Sequence, residues 1–136
     1  MKILIINGPN LNLIGKREPE IYGNQSMEDF FAELKNHFKN MEIDYYQSNW
    51  EGEMIDRIQK DDFDALIINP GAFSHYSYAI ADCLKNIKKP KIEVHISNIY
   101  QREEFRQKSV TAAYTDAVLS GFGLKGYFLA IQNLLS

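Results

Sequence analysis

The sequence predicts an open α/β domain, a five-stranded parallel sheet with helices on both faces. Two observations carry this. The runs Ile3-Leu4-Ile5-Ile6 and Ala65-Leu66-Ile67-Ile68 are aliphatic without polar alternation, as suits strands buried on both faces. Stretches of helical spacing follow such runs, for instance Met27, Phe30, Phe31, Leu34 and Phe38. Strands alternating with helices imply parallel pairing and right-handed crossovers.

In order, the first strand covers Lys2 to Asn7, and a long loop comes next at about 8–25. Ser26 is placed to cap a helix that continues to about Asn40, with Glu28 and Asp29 favourable in its first turn. Glu42 to Ser48 forms a second strand and Gly52 to Lys60 a short helix. Asp64 to Asn69 is a third strand, ended by Pro70-Gly71. A third helix is expected from about Ser74 to Asn86, with Ala79, Ile80, Cys83, Leu84 and Ile87 on one face, and Pro90 bars its continuation. Lys91 to Ile96 makes the fourth strand. The polar stretch Ser97 to Gln107 contains a helical turn at Arg102 to Arg106. Ala117 to Ser120 is a short fifth strand, and Leu124 to Leu135 the last helix. Five such units in one domain, residues 1–136, give a flavodoxin-like sheet of order 2-1-3-4-5.

Composition narrows the function. The chain is 45% hydrophobic and 24% charged with net charge −3, which is ordinary for a globular protein and gives no basic stripe for nucleic acid. The four lysines between Lys85 and Lys91 read as a solvated helix end. Cys83 is the only cysteine, so neither an intrachain disulfide nor a cysteine zinc site is available; it reads as a small core residue. The start lacks the apolar core of a signal peptide, and no run approaches the roughly 18 apolar residues of a membrane span. A cytoplasmic protein without membrane or nucleic-acid partners is expected.

Ligands of open α/β sheets bind beyond the carboxyl ends of the strands, near the switch in strand order. Three loops should converge there. The first, Asn7 to Gly23, is about three times the usual 2 to 6 residues and holds three glycines, two prolines, three asparagines, Arg17 and Tyr22. Ordered loops of this length commonly act as lids or binding loops. The others bring Asn69, Gly71 and His75, then His95, Ser97, Asn98, Arg102 and Arg106. Three of the four arginines lie in these loops. Arginine suits the planar recognition of carboxylate or phosphate, so an anionic ligand is expected.

The same loops offer acid–base chemistry. A guanidinium near Tyr22 favours phenolate, which would make a base of a group with an ordinary pKa of about 10; a packing tyrosine beside a solvated arginine is the other reading. Glu93 and His95, two apart in a strand, project to one face. A carboxylate that orients an imidazole and stabilises its charge is the usual arrangement of a general acid or base, and a satisfied core histidine is the alternative. His75 fits a pocket or a surface equally, while His37 reads as exposed and inert. The phosphate-binding loop, the nucleophile elbow and a metal-ligand spacing are all absent. Proton transfer on a small polar anion without a cofactor remains. A rival is a non-enzymatic flavodoxin-like module binding an anion or nucleotide, but it explains neither Tyr22 nor Glu93-His95.

The motifs N-G-P-N-L-N-L-I-G-K-R-E-P-E-I-Y-G, N-P-G-A-F-S-H-Y-S-Y-A-I-A-D and E-V-H-I-S-N-I-Y-Q-R-E-E-F-R together resemble the type II 3-dehydroquinate dehydratases across essentially the whole chain. The resemblance implies a flavodoxin-like fold, trimers grouped into a dodecamer, and trans elimination of water from 3-dehydroquinate with no metal or cofactor. It implies Tyr22 as the base taking the C2 proton, with Arg17 on the lid depressing its pKa. Asn10 would hold the water that stabilises the enolate. His95, oriented by Glu93, would protonate the leaving C1 hydroxyl. Asn69 and the Ile96 and Ser97 N–H groups would grip the carboxylate, His75 and Arg106 the ring hydroxyls, and Asp82 would act from a neighbouring subunit. Trp50 stands where the family more often has histidine, and Ala117 where glycine is usual.

Overall fold

The computed structural model describes residues 1–15 and 25–135. Five strands, β1 (Lys2–Asn7), β2 (Glu42–Gln47), β3 (Ala65–Asn69), β4 (Lys91–His95) and β5 (Ala117–Ser120), form one sheet of order β2-β1-β3-β4-β5. Every pairing is parallel, and Asn7 and Asn69 sit in register at the carboxyl ends of β1 and β3. The expected flavodoxin-like order is therefore present. Among the described residues the α-helices are α1 (Met27–His37), α2 (Glu51–Gln59), α3 (Tyr78–Lys85) and α4 (Lys125–Leu135). Among the described residues no helix is long and apolar enough to cross a membrane.

The two-residue period of a strand divides the core between the faces. Ile3, Ile5 and Ile67 pack with Phe30, Phe31 and Leu34 of α1 and with Tyr127, Ala130 and Ile131 of α4. Leu4, Ile6, Leu66 and Ile68 pack with Met54 and Ile58 of α2 and Ile80 and Leu84 of α3. Each such side chain contributes about 1.5–3 kcal/mol on burial, so β1 and β3, sealed on both faces, make a rigid base for the loops above them. Cys83 is buried, as expected of a small core residue. His37 is exposed, but its ring lies 4.8 Å from that of Phe128.

β4 departs from the plain aliphatic pattern. Ile92 and Val94 face the α1–α4 core, while Lys91, Glu93 and His95 are polar and still buried. The crossover from β4 to β5 carries no α-helix, only single 3-10 turns at Ile99–Gln101, Glu104–Arg106 and Ala112–Tyr114. Polar side chains inside the strand thereby meet polar partners in the crossover instead of an apolar helix face.

Several boundaries differ from expectation for local reasons. α1 stops at His37 rather than near Asn40, because Phe38 leaves helical geometry and buries its ring 5.2 Å from that of Phe128. The third helix starts at Tyr78 rather than Ser74: a 3-10 turn occupies Gly71–His75, and Ser77 caps α3 by accepting from the Ile80 N–H at 3.0 Å. The lysine run at the end of α3 is not wholly solvated. Lys91 is buried with its ammonium donating to the Ile87 carbonyl at 2.5 Å, just beyond the end of α3, and Lys89 pairs with Asp61 at 2.9 Å. Trp50 and Ala117 are both exposed, so neither unusual residue disturbs the core.

Candidate active site

The loops after β1 and β3 are pressed together. The Gly8 N–H donates to the Asn69 carbonyl at 2.8 Å, and a Cβ on Gly8 would lie 2.3 Å from the Pro70 oxygen. No larger residue fits that approach. Asn10 takes the left-handed conformation (φ 68°), which asparagine tolerates better than most residues. Its N–H donates at 3.0 Å to Asn49 Oδ1, which also accepts from Gln47. A 3-10 turn at Leu11–Leu13 follows, with Leu11 and Ile14 buried. The first part of the long loop is thus tied to the scaffold. Arg17 and Tyr22, the expected base and its partner, lie outside the described residues.

Above the switch point is a cavity of about 220 Å³. The β1 loop lines it with Asn10, Leu13 and Ile14, and the β3 loop with Asn69, Gly71 and His75. The β4 loop adds His95, Ile96, Ser97, Arg102 and Arg106. Two arginines and two histidines face one small space, and among the described residues no carboxylate lines it. That balance favours an anion. The Ile96 and Ser97 N–H groups meet no backbone acceptor among the described residues, so both can be turned to a ligand oxygen.

His95 has the most explicit geometry. Glu93 is fully buried, and its Oε2 lies 2.7 Å from His95 Nε2. Burial pushes the Glu93 carboxyl up. Donation and positive charge from His95, with donation from Thr111 and Ser109, outweigh it and hold the carboxyl below the usual range. An ionised carboxylate can only accept, so Nε2 carries the proton and Nδ1 is the nitrogen left for the cavity. His75 is backed differently, its Nδ1 donating to the Lys108 carbonyl at 2.7 Å. Its Nε2 is then the free nitrogen.

Asn69 is held by both ends of its amide. Nδ2 donates to the Tyr127 hydroxyl at 3.0 Å, and Oδ1 accepts from the Gly71 N–H at 3.1 Å. Tyr127 donates in turn to Asn7 Oδ1 at 2.8 Å, and burial raises its pKa further than its hydrogen bonds with Asn69 and Asn7 lower it. It is a fixed neutral strut. Arg102 donates to Ser97 Oγ at 3.2 Å, and Arg106 Nε to Glu103 at 2.8 Å.

Of the residues singled out in the sequence, Asn10, Asn69, His75, His95, Ile96, Ser97 and Arg106 come together here, with Glu93 directly behind His95. Asp82 does not join them: it is exposed on α3. Sequence reasoning gave no role to Asn49, Ser109, Thr111 or Tyr127. Tyr127 falls among the apolar positions of α4, and the small hydroxyl residues follow no motif; the one signal in the sequence is Glu93, a carboxylate inside a buried strand that needs donors.

Residues 1–135 match the family model for Dehydroquinase class II. A 3-dehydroquinate dehydratase of Thermotoga petrophila is 54% identical over 136 residues, covering 98% of this chain and 94% of that protein. One from Clostridium botulinum is 55% identical over 138 residues, with the same coverage. The crystal structure of a type II dehydroquinase from Butyrivibrio crossotus superposes with a TM-score of 0.96 at 51% identity, covering 100% of this chain and 98% of that one. With the sheet order, the cavity and the match all spanning the same residues, the chain belongs to the class II dehydroquinase family.

Proposed function

We propose that this protein is a hydro-lyase converting 3-dehydroquinate to 3-dehydroshikimate by trans elimination through an enolate, in the shikimate pathway of aromatic amino acid biosynthesis or in quinate breakdown. The observation that supports it most is the Glu93–His95 pair opening on a cationic cavity, in a chain that matches class II dehydroquinases from end to end. A module that merely held an anion or nucleotide would have no use for a carboxylate-backed imidazole, and that reading is not favoured.

The C2 proton is acidic because it lies beside the ketone. In this reading Tyr22 removes it as phenolate, favoured by Arg17, and the electron pair moves onto the ketone oxygen. Asn10 holds the water that stabilises this enolate. As the enolate collapses, the C1–O bond breaks and His95 donates the proton that lets the hydroxyl leave as water. Glu93 keeps the imidazolium in place. Asn69 and the Ile96 and Ser97 N–H groups hold the substrate carboxylate, and His75 and Arg106 the ring hydroxyls. An acid and a base suffice for these steps, so no metal or cofactor is required. The loop at about 8–25 acts as the lid of this single catalytic domain. The protein works in the cytoplasm as trimers grouped into a dodecamer, with Asp82 reaching the site of a neighbour.

The test is to mix purified protein with 3-dehydroquinate and follow the ultraviolet absorbance of the conjugated product. Protein treated with borohydride in the presence of substrate, then freed of both, should keep its full activity. Failure of the folded protein to form product would overturn the reading. A reduced adduct on lysine would overturn the enolate route in favour of a Schiff base.

A further inference from the structure

We infer that the segment Lys108–Thr111 is a positioning element for both cavity imidazoles, holding His95 through Glu93 and His75 through the Lys108 carbonyl. The inference rests on the cavity being the dehydratase site. Thr111 is fully buried and its hydroxyl donates to Glu93 Oε1 at 2.5 Å. Ser109 donates to Oε2 at 2.7 Å, the same oxygen that accepts from His95. With donors on both oxygens the carboxylate cannot swing, and its direction sets that of the imidazole. One residue before Ser109, the Lys108 carbonyl accepts from His75 Nδ1 at 2.7 Å. The segment is itself clamped, since the Val110 N–H donates to the Ser74 carbonyl at 2.7 Å and Ser109 Oγ accepts from the Ala112 N–H at 3.1 Å.

The two backings differ in kind. A carboxylate behind His95 stabilises an imidazolium that can give a proton at Nδ1. The carbonyl behind His75 fixes Nδ1 as its protonated nitrogen, leaving Nε2 to face a hydroxyl. One short stretch thus orients the proton donor and the second imidazole, and leads directly from the turn that carries Arg106.

The test compares Thr111→Val, Thr111→Ser and Ser109→Ala. Thr111→Val should lower kcat about 10- to 100-fold, the usual cost of a displaced catalytic group, with little change in KM. Exchange of the substrate C2 proton with solvent should persist, because the base is untouched. Thr111→Ser should restore kcat, as a merely space-filling role would not require. Should Thr111→Val fail to fold, Ser109→Ala reads the same loss through Oε2. Nitrogen-15 spectra of the imidazoles need no substrate: His75 should show the Nδ1–H tautomer, and the His95 signals should move in Thr111→Val or Ser109→Ala. Wild-type kcat in Thr111→Val and Ser109→Ala, no rescue by serine, an Nε2–H His75, or unmoved His95 signals would each overturn the inference. A wild-type protein without dehydratase activity would instead overturn the reading of the site, and the spectra would still decide the positioning.

Discussion

His95 Nε2 lies 2.7 Å from Glu93 Oε2, and the carboxylate that it meets is fully buried and also receives the hydroxyls of Ser109 and Thr111. This contact fixes which imidazole nitrogen faces the cavity. It also makes the fold depend on the ionisation of one side chain.

The dependence has a definite sign. Glu93 is held below its ordinary carboxylate range in the folded protein, whereas an unfolded glutamate titrates near about 4.3. Its contribution to stability is complete above that pH and is lost as pH falls through the lower folded value. Denaturant midpoints measured from pH 7 to pH 3 should drop more steeply in the wild type than in Glu93→Gln. Parallel curves would show that Glu93 gains nothing from its partners.

Gly8→Ala tests the junction of the β1 and β3 loops. The added Cβ would meet the Pro70 carbonyl oxygen at 2.3 Å, and a backbone atom cannot simply step aside. Overpacking of this kind costs about 1–3 kcal/mol. Thermal unfolding should show a lowered Tm, accompanied by a raised KM because Asn10 and Asn69 part. An unchanged Tm and KM would mean that the loops have slack.

Tyr22→Phe should keep substrate affinity but lower kcat by about 10² to 10⁴-fold, the usual worth of a general base. Arg17→Lys should not restore function, because lysine lacks the planar fork. Steady-state kinetics with near-normal kcat in either variant contradicts the paired role.

Asp82 is exposed on α3 and does not line the cavity of its own chain, so its proposed role requires a neighbour. Tyr22→Phe and Asp82→Ala should each be strongly impaired as pure oligomers. Mixed, unfolded and reassembled together, they should regain activity where an intact Tyr22 meets an intact Asp82. A fully active Asp82→Ala, or a mixture no better than the average of its parents, shows that the site is not shared.

Much of this layout was legible in the sequence because burial writes itself as pattern. Ile3 to Ile6 and Ala65 to Ile68 suit strands sealed on both sides, and strand order then placed Asn69, His75, His95 and Arg106 around one space. The period of a strand likewise put Glu93 and His95 on one face. What stayed hidden depends on contacts distant in sequence. Nothing local tells that Thr111 reaches Glu93, that Tyr127 reaches Asn69 from 58 residues away, or that Lys91 folds its ammonium back onto Ile87. α3 starts after Ser77 rather than near Ser74 because Gly71–His75 turns more tightly than an α-helix, a difference that spacing alone does not settle.

The most direct test of the division of labour is His95→Asn in deuterated water, with C2 exchange and product formation followed together by proton NMR. Asparagine keeps a polar side chain but cannot deliver the proton to the departing hydroxyl. Tyr22 should continue to exchange the C2 proton through the enolate while product formation falls by about 10² to 10⁴-fold. Loss of exchange in step with loss of product, or product formation at the wild-type rate, would contradict that division.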